Sequence, residues 1–186
     1  MKRSISQLLA VAMLAGGFNL NAHADVSPGE VNFDRLSEPG QGTKYVDITL
    51  GRNFISLASR LVEKQKPEVG QLLRSVESIR VNVVGLTDEN RKGAEKRVLA
   101  IRAQLDKQGW QRIVTVQEKG GEDVGIFIKA RGDEALEGVV VTVLDGKKQE
   151  AVLINIVGDL KPEQIAALGD ALSIDPLKKA GSAVKK

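Results

Sequence analysis

From Lys44 onward the apolar side chains switch repeatedly between a two-residue period and a helical one. Lys44 to Leu50 sets Tyr45, Asp47 and Thr49 against Val46, Ile48 and Leu50, the alternation of a strand, and Gly51 ends it. Phe54, Leu57, Ala58, Leu61 and Val62 then recur at helical spacing, which predicts an amphipathic helix to about Lys66. Pro67 suits the first position of a second helix, striped by Val69, Leu72, Leu73 and Val76. Ser78 to Leu86 alternates again, with Ile79, Val81 and Val83 on one face. Thr87 or Asp88 can cap the long helix that follows, whose core stripe is Ala94, Val98, Ile101 and Leu105. Gly109 is its natural C′ residue.

The next pattern is a run of strands: Trp110–Glu118, Val124–Arg131, Val139–Leu144 and Ala151–Val157, each rich in β-branched residues. Lys119-Gly120-Gly121-Glu122 turns the first pair and Asp145-Gly146 starts the turn of the last, while the link Gly132–Gly138 is longer. Pro162 opens a final helix with Ile165, Ala166, Leu168 and Leu172 as its stripe. The order is β-α-α-β-α-β-β-β-β-α. It predicts an α+β fold: a single domain with a mainly antiparallel sheet of about six strands and helices packed on one face. The two most apolar strands, Val139–Leu144 and Ala151–Val157, belong at its centre.

The flanks carry other signals. Lys2 and Arg3, the apolar run Leu8 to Phe18 and Ala22-His23-Ala24 have the layout of a cleavable signal peptide over residues 1–24. That run is shorter than the about 20 residues of a membrane span. The mature chain is expected to start at Asp25 and to work in the periplasm. Residues 25–43 hold Pro28, Gly29, Pro39, Gly40 and Gly42 and read as a flexible lead-in. The domain itself is placed at 44–172, and residues 173–186 have too little apolar content to pack and read as a disordered basic tail.

Charge narrows the partners. Loss of the leader leaves 25 Lys and Arg against 24 Asp and Glu, and Lys178, Lys179, Lys185 and Lys186 gather the surplus at one end. Between Asp25 and Leu177 the balance is 21 against 24, so the body is mildly acidic and no platform for nucleic acid. The aromatics of the mature chain are few (Phe33, Tyr45, Phe54, Trp110 and Phe127), which also argues against base stacking. His23 is the one histidine and leaves with the leader; there is no cysteine. Zinc sites of N/S type, thiol nucleophiles, disulfides, His-based triads and a lipid-modified cysteine anchor are all removed together. No metal or cofactor is expected.

The chemistry that remains is thin. Glu118, Glu122 and Asp123 cluster at a glycine turn but do not fit a calcium-loop frame, and solvated hairpin acids are the common case. Asn155 interrupts the most apolar strand and should point away from Val152, Ile154 and Ile156, while Asp159 shapes the turn into the last helix. Ser56 and Ser59 lack a Ser-x-x-Lys spacing, and no G-x-S-x-G elbow or phosphate loop is present. Arg80 with Asn82, and Phe127 with Lys129, share strand faces. If helices cover the other side, these four line an open sheet face and are the candidate binding residues.

With these elements placed, the succession Val46-Asp47-Ile48-Thr49-Leu50-Gly51, Ser78-Ile79-Arg80-Val81-Asn82-Val83 and Leu153-Ile154-Asn155-Ile156-Val157-Gly158-Asp159-Leu160 resembles the domain of unknown function 4252 family. The likeness covers roughly Val31 to Leu172. It implies an exported protein of Gram-negative bacteria with a compact α+β domain. Some members are encoded near sigma-factor and anti-sigma genes, which implies envelope signalling. No catalytic residue is carried over.

The resulting expectation is a non-enzymatic interaction or ligand-binding module with an envelope protein as candidate partner. The alternative is a carboxylate-based hydrolase or metal-dependent envelope enzyme. That would need two acids in one cleft, about 5–9.5 Å apart for a glycosidase.

Overall fold

The computed structural model describes residues 27–33, 36, 43–119, 121–161, 164 and 167. The leader, the stripe of the final helix and the Lys-rich end lie outside the described residues. The elements run β1 (Tyr45–Gly51), α1 (Arg52–Glu63), α2 (Pro67–Ser75), β2 (Val76–Gly85), α3 (Arg91–Lys107), β3 (Gln111–Gln117), β4 (Glu122–Arg131), β5 (Ala135–Asp145) and β6 (Glu150–Leu160). The strands form one six-stranded sheet in the order β1-β2-β6-β5-β4-β3, antiparallel at every pairing. The α+β class, the strand number and the central position of β5 and β6 are as the pattern implies.

The helices differ from expectation: they divide between the two faces. Val139, Val141 and Val143 of β5 join Ile154 and Ile156 of β6 in a layer closed by Ile55 of α1 and Leu72 of α2. Val140 of β5, Ala151 and Leu153 of β6 and Phe127 of β4 join a second layer, closed by Ala94, Val98, Ile101 and Leu105 of α3. The reason lies in β5 and β6, whose near-continuous apolar runs leave no face fit for water. Val98 and Leu105 are fully buried, which stabilises by about 1.5–3 kcal/mol for each such side chain.

The lead-in also departs from the sequence reading, because its described part packs on the α3 face. Val31, Phe33 and Leu36 are buried in the second layer. Asn155 holds this segment: its Oδ1 accepts from Val31 N–H at 3.1 Å, and its Nδ2 donates to the carbonyls of Gly29 at 3.0 Å and Val139 at 3.3 Å. As expected, Asn155 faces away from Ile154 and Ile156. β6 runs on through Leu160, so Asp159 stands in the strand and accepts from Arg131 rather than shaping a turn.

Local chemistry sets the ends of α3. Thr87 Oγ1 accepts from Asn90 N–H at 3.3 Å, which makes a capped turn just before the helix begins at Arg91. At the other end Gly109 has φ +75°, Gly109 N–H donates to Asp106 and Trp110 N–H donates to Leu105. This is a Schellman closure, and Trp110 and Leu105 share a core layer as its hydrophobic contact. Lys161 lacks a capping side chain, but Gln164 Oε1 accepts from its N–H at 2.8 Å, the reciprocal half of a capping box.

Candidate functional site

The four residues singled out from the sequence share the α3 face of the sheet, in two separate pairs. Arg80 and Asn82 lie on β2 and pair across to Asn155 and Leu153; Phe127 lies on β4 opposite Val140. β6 and β5 stand between the pairs, a separation of roughly 14 Å at about 4.8 Å per strand. Phe127 has no exposed surface and anchors the α3 layer, with the Arg112 guanidinium 4.9 Å above its ring centre. Lys129 Nζ donates to the Gln108 carbonyl at 2.7 Å, placing a cation on the C-terminal end of α3. Asn82 is buried; its Nδ2 donates to Val46 at 3.4 Å, while its Oδ1 has no partner. Arg80 is half-buried beside it. No single site gathers the four.

A cleft of about 320 Å³ opens where α3 meets the turns of the β3–β4 and β5–β6 hairpins. Leu86, Leu99 and Leu144 supply its apolar wall, and Arg91, Glu95 and Asp123 its charged rim. Asp123 is already engaged. Its Oδ1 accepts at 2.8 Å from Arg102, a buried guanidinium whose Nε also donates to Thr142 Oγ1 at 2.9 Å. Gly125 leaves the room for this network: a Cβ there would approach Thr142 Oγ1 to 2.9 Å and Arg102 Nε to 3.1 Å. Arg91 is likewise bonded to Gln149. Of the turn acids, Glu118 faces Lys147 at 3.8 Å, and among the described residues no three acids converge as metal ligands.

Sequence reasoning missed Arg102, although its place beside Ile101 and four residues after Val98 puts it on the buried stripe. The acidity of Asp145 is shifted. Its carboxyl is held below the ordinary carboxylate range, chiefly by the backbone N–H of Lys148 and, against the opposing effect of burial, by that of Lys147. These bonds shape the β5–β6 turn.

The most unusual surface is on α1. Phe54, Leu57 and Leu61 follow one another at helical spacing and are 59, 56 and 67% exposed. The inward side of α1 instead presents Ile55 and Ser59, both buried. Gly70 of α2 explains the arrangement. A Cβ at Gly70 would come within 2.6 Å of Glu63 Cβ and 3.1 Å of the Ser59 carbonyl, so the two helices touch closely along that side. The amphipathic period of α1 is as the sequence indicates, but Phe54, Leu57 and Leu61 of its expected stripe face out while Ile55 faces in. With more than half of each still exposed, each would gain about 1–2 kcal/mol on full burial, which marks the stripe as a contact surface.

Among the described residues no helix is long and apolar enough to cross a membrane. No curated protein and no solved structure matches the chain. A family model, that of Domain of unknown function (DUF4252), matches residues 41–168. This match spans β1 to β6 and all three helices between them, and the chain therefore belongs to the DUF4252 family.

Proposed function

We propose that the protein is an exported, periplasmic binding module without catalytic activity, which works by docking through α1 in the envelope. The carrying observation is the exposed stripe Phe54, Leu57 and Leu61. A helix that buries Ile55 and Ser59 against the core and still holds three large apolar side chains in solvent is built to be covered by something else. The signal-peptide pattern of residues 1–24 supports export, and the first residue of the chain recovered from periplasm should be Asp25.

The lack of cysteine makes the docking test clean. Leu57→Cys should react with a maleimide quickly in the purified protein and at least about tenfold more slowly in the intact periplasm. Lys96→Cys, exposed on α3, should react alike in both. Equal reactivity of Leu57→Cys in the two settings would sink the docking reading.

A further inference from the structure

Resting on that docking reading, we infer that the surface covering α1 is an anionic lipid bilayer, on which the helix lies in the headgroup plane. The argument joins the stripe to its charges. Beside Phe54, Leu57 and Leu61 run Arg60 and Lys64, one helical turn from the leucines, and Lys66 follows at the end of the helix. All three cations are exposed and pair with no acid among the described residues, whereas Arg52 and Arg74 are engaged by Glu77 and Glu63.

The charge is local. Arg52 to Ser75 carry five cationic and two acidic side chains, while the rest of the stretch from Asp25 to Leu177 carries 16 against 22. A stretch from Asp25 to Leu177 that is basic around one exposed apolar stripe and acidic elsewhere has the complementarity of an anionic membrane surface. Phe and Leu enter the acyl boundary and Lys and Arg meet the phosphates. A second copy is a poorer occupant. Antiparallel α1 helices about a two-fold axis would set the Arg60–Lys64 flank against its own counterpart. Three large apolar residues with a few cations make a reversible contact, suited to a peripheral protein rather than an anchored one.

Flotation of the purified mature chain tests this, using phosphatidylglycerol–phosphatidylethanolamine vesicles beside phosphatidylcholine ones. Binding to the anionic vesicles should be at least about tenfold stronger and should fall with salt. Leu57→Ser with Leu61→Ser should abolish it, and Arg60→Gln or Lys64→Gln should each weaken it about fivefold. Lys96→Gln should change nothing. These side chains are solvent-exposed, and unchanged Trp110 fluorescence verifies that the variants fold.

Three results would overturn the inference: no binding to anionic vesicles, binding insensitive to the two leucine changes, or a concentration-dependent dimer in which Leu57→Cys becomes protected. Protection of Leu57→Cys in cells without vesicle binding would mean a protein covers α1. The docking reading would then stand and the lipid assignment would fall.

Discussion

Replacing Asn155 by alanine should loosen the N-terminal segment and destabilise the whole domain. The side chain is 2% exposed and makes three hydrogen bonds, to Val31 N–H and to the Gly29 and Val139 carbonyls. Val139 sits in the β5–β6 ladder, so the groups left without a partner are Val31 N–H and the Gly29 carbonyl. An unsatisfied buried polar group costs about 1–3 kcal/mol, which puts the two at about 2–6 kcal/mol. Detachment of the segment limits that loss, because it exchanges unmet hydrogen bonds for exposure of Val31, Phe33 and Leu36. The expected destabilisation is about 3 kcal/mol, or a fall in Tm of about 6–12 °C at about 2–4 °C per kcal/mol. Asn155→Asp should be worse, since a carboxylate turns an acceptor and a buried charge toward two carbonyls. Urea unfolding followed by Trp110, which is buried in the same layer, reads the global effect. Hydrogen exchange at Val31 reads the local one. An alanine variant within about 0.5 kcal/mol of wild type, or unchanged protection at Val31, would refute the assignment of Asn155 as the tether.

Two more expectations concern charged groups inside the fold. Arg102→Met leaves the partly buried Asp123 carboxylate and the Thr142 hydroxyl without their donor and should cost about 3 kcal/mol. Adding Asp123→Asn should recover part of that loss in a double-mutant cycle, and strict additivity would show that the two do not interact. For Asp145, the folded carboxyl ionises more readily than the unfolded one, so its contribution is present above the unfolded value, about 3.9, and is lost as pH falls through the folded value. Acid titration should therefore erode the wild type below about pH 5 more steeply than Asp145→Asn, and parallel curves would contradict the turn bonds as the cause.

Much of the architecture was readable because strands and helices have periods that the side chains print directly. Gly109 was legible for a local reason, a positive φ at a helix end, whereas Thr87, expected to cap α3, instead bonds to Asn90, the residue that stands at the N-cap. The division of helices between two faces was also encoded, in the unbroken apolar runs of β5 and β6, but periodicity alone does not say which helix covers which side. The flexible reading of residues 25–43 rested on glycine and proline content. It missed that Asn155, more than a hundred positions away, meets the polar backbone of that segment.

The candidate residues show the same limit. Sharing a strand face placed Arg80, Asn82, Phe127 and Lys129 on one side of the sheet, yet strand order, a non-local property, set the two pairs apart. Arg102 gave its position through the helical period and nothing about its partners, which come from β4 and β5. Composition alone removed cysteine chemistry, since that is a property of the chain and not of its path. That α1 would turn Phe54, Leu57 and Leu61 outward was decided only in three dimensions. An amphipathic pattern states that a helix has an apolar side; the close fit of Ser59 and Glu63 against Gly70 determines which side is already taken.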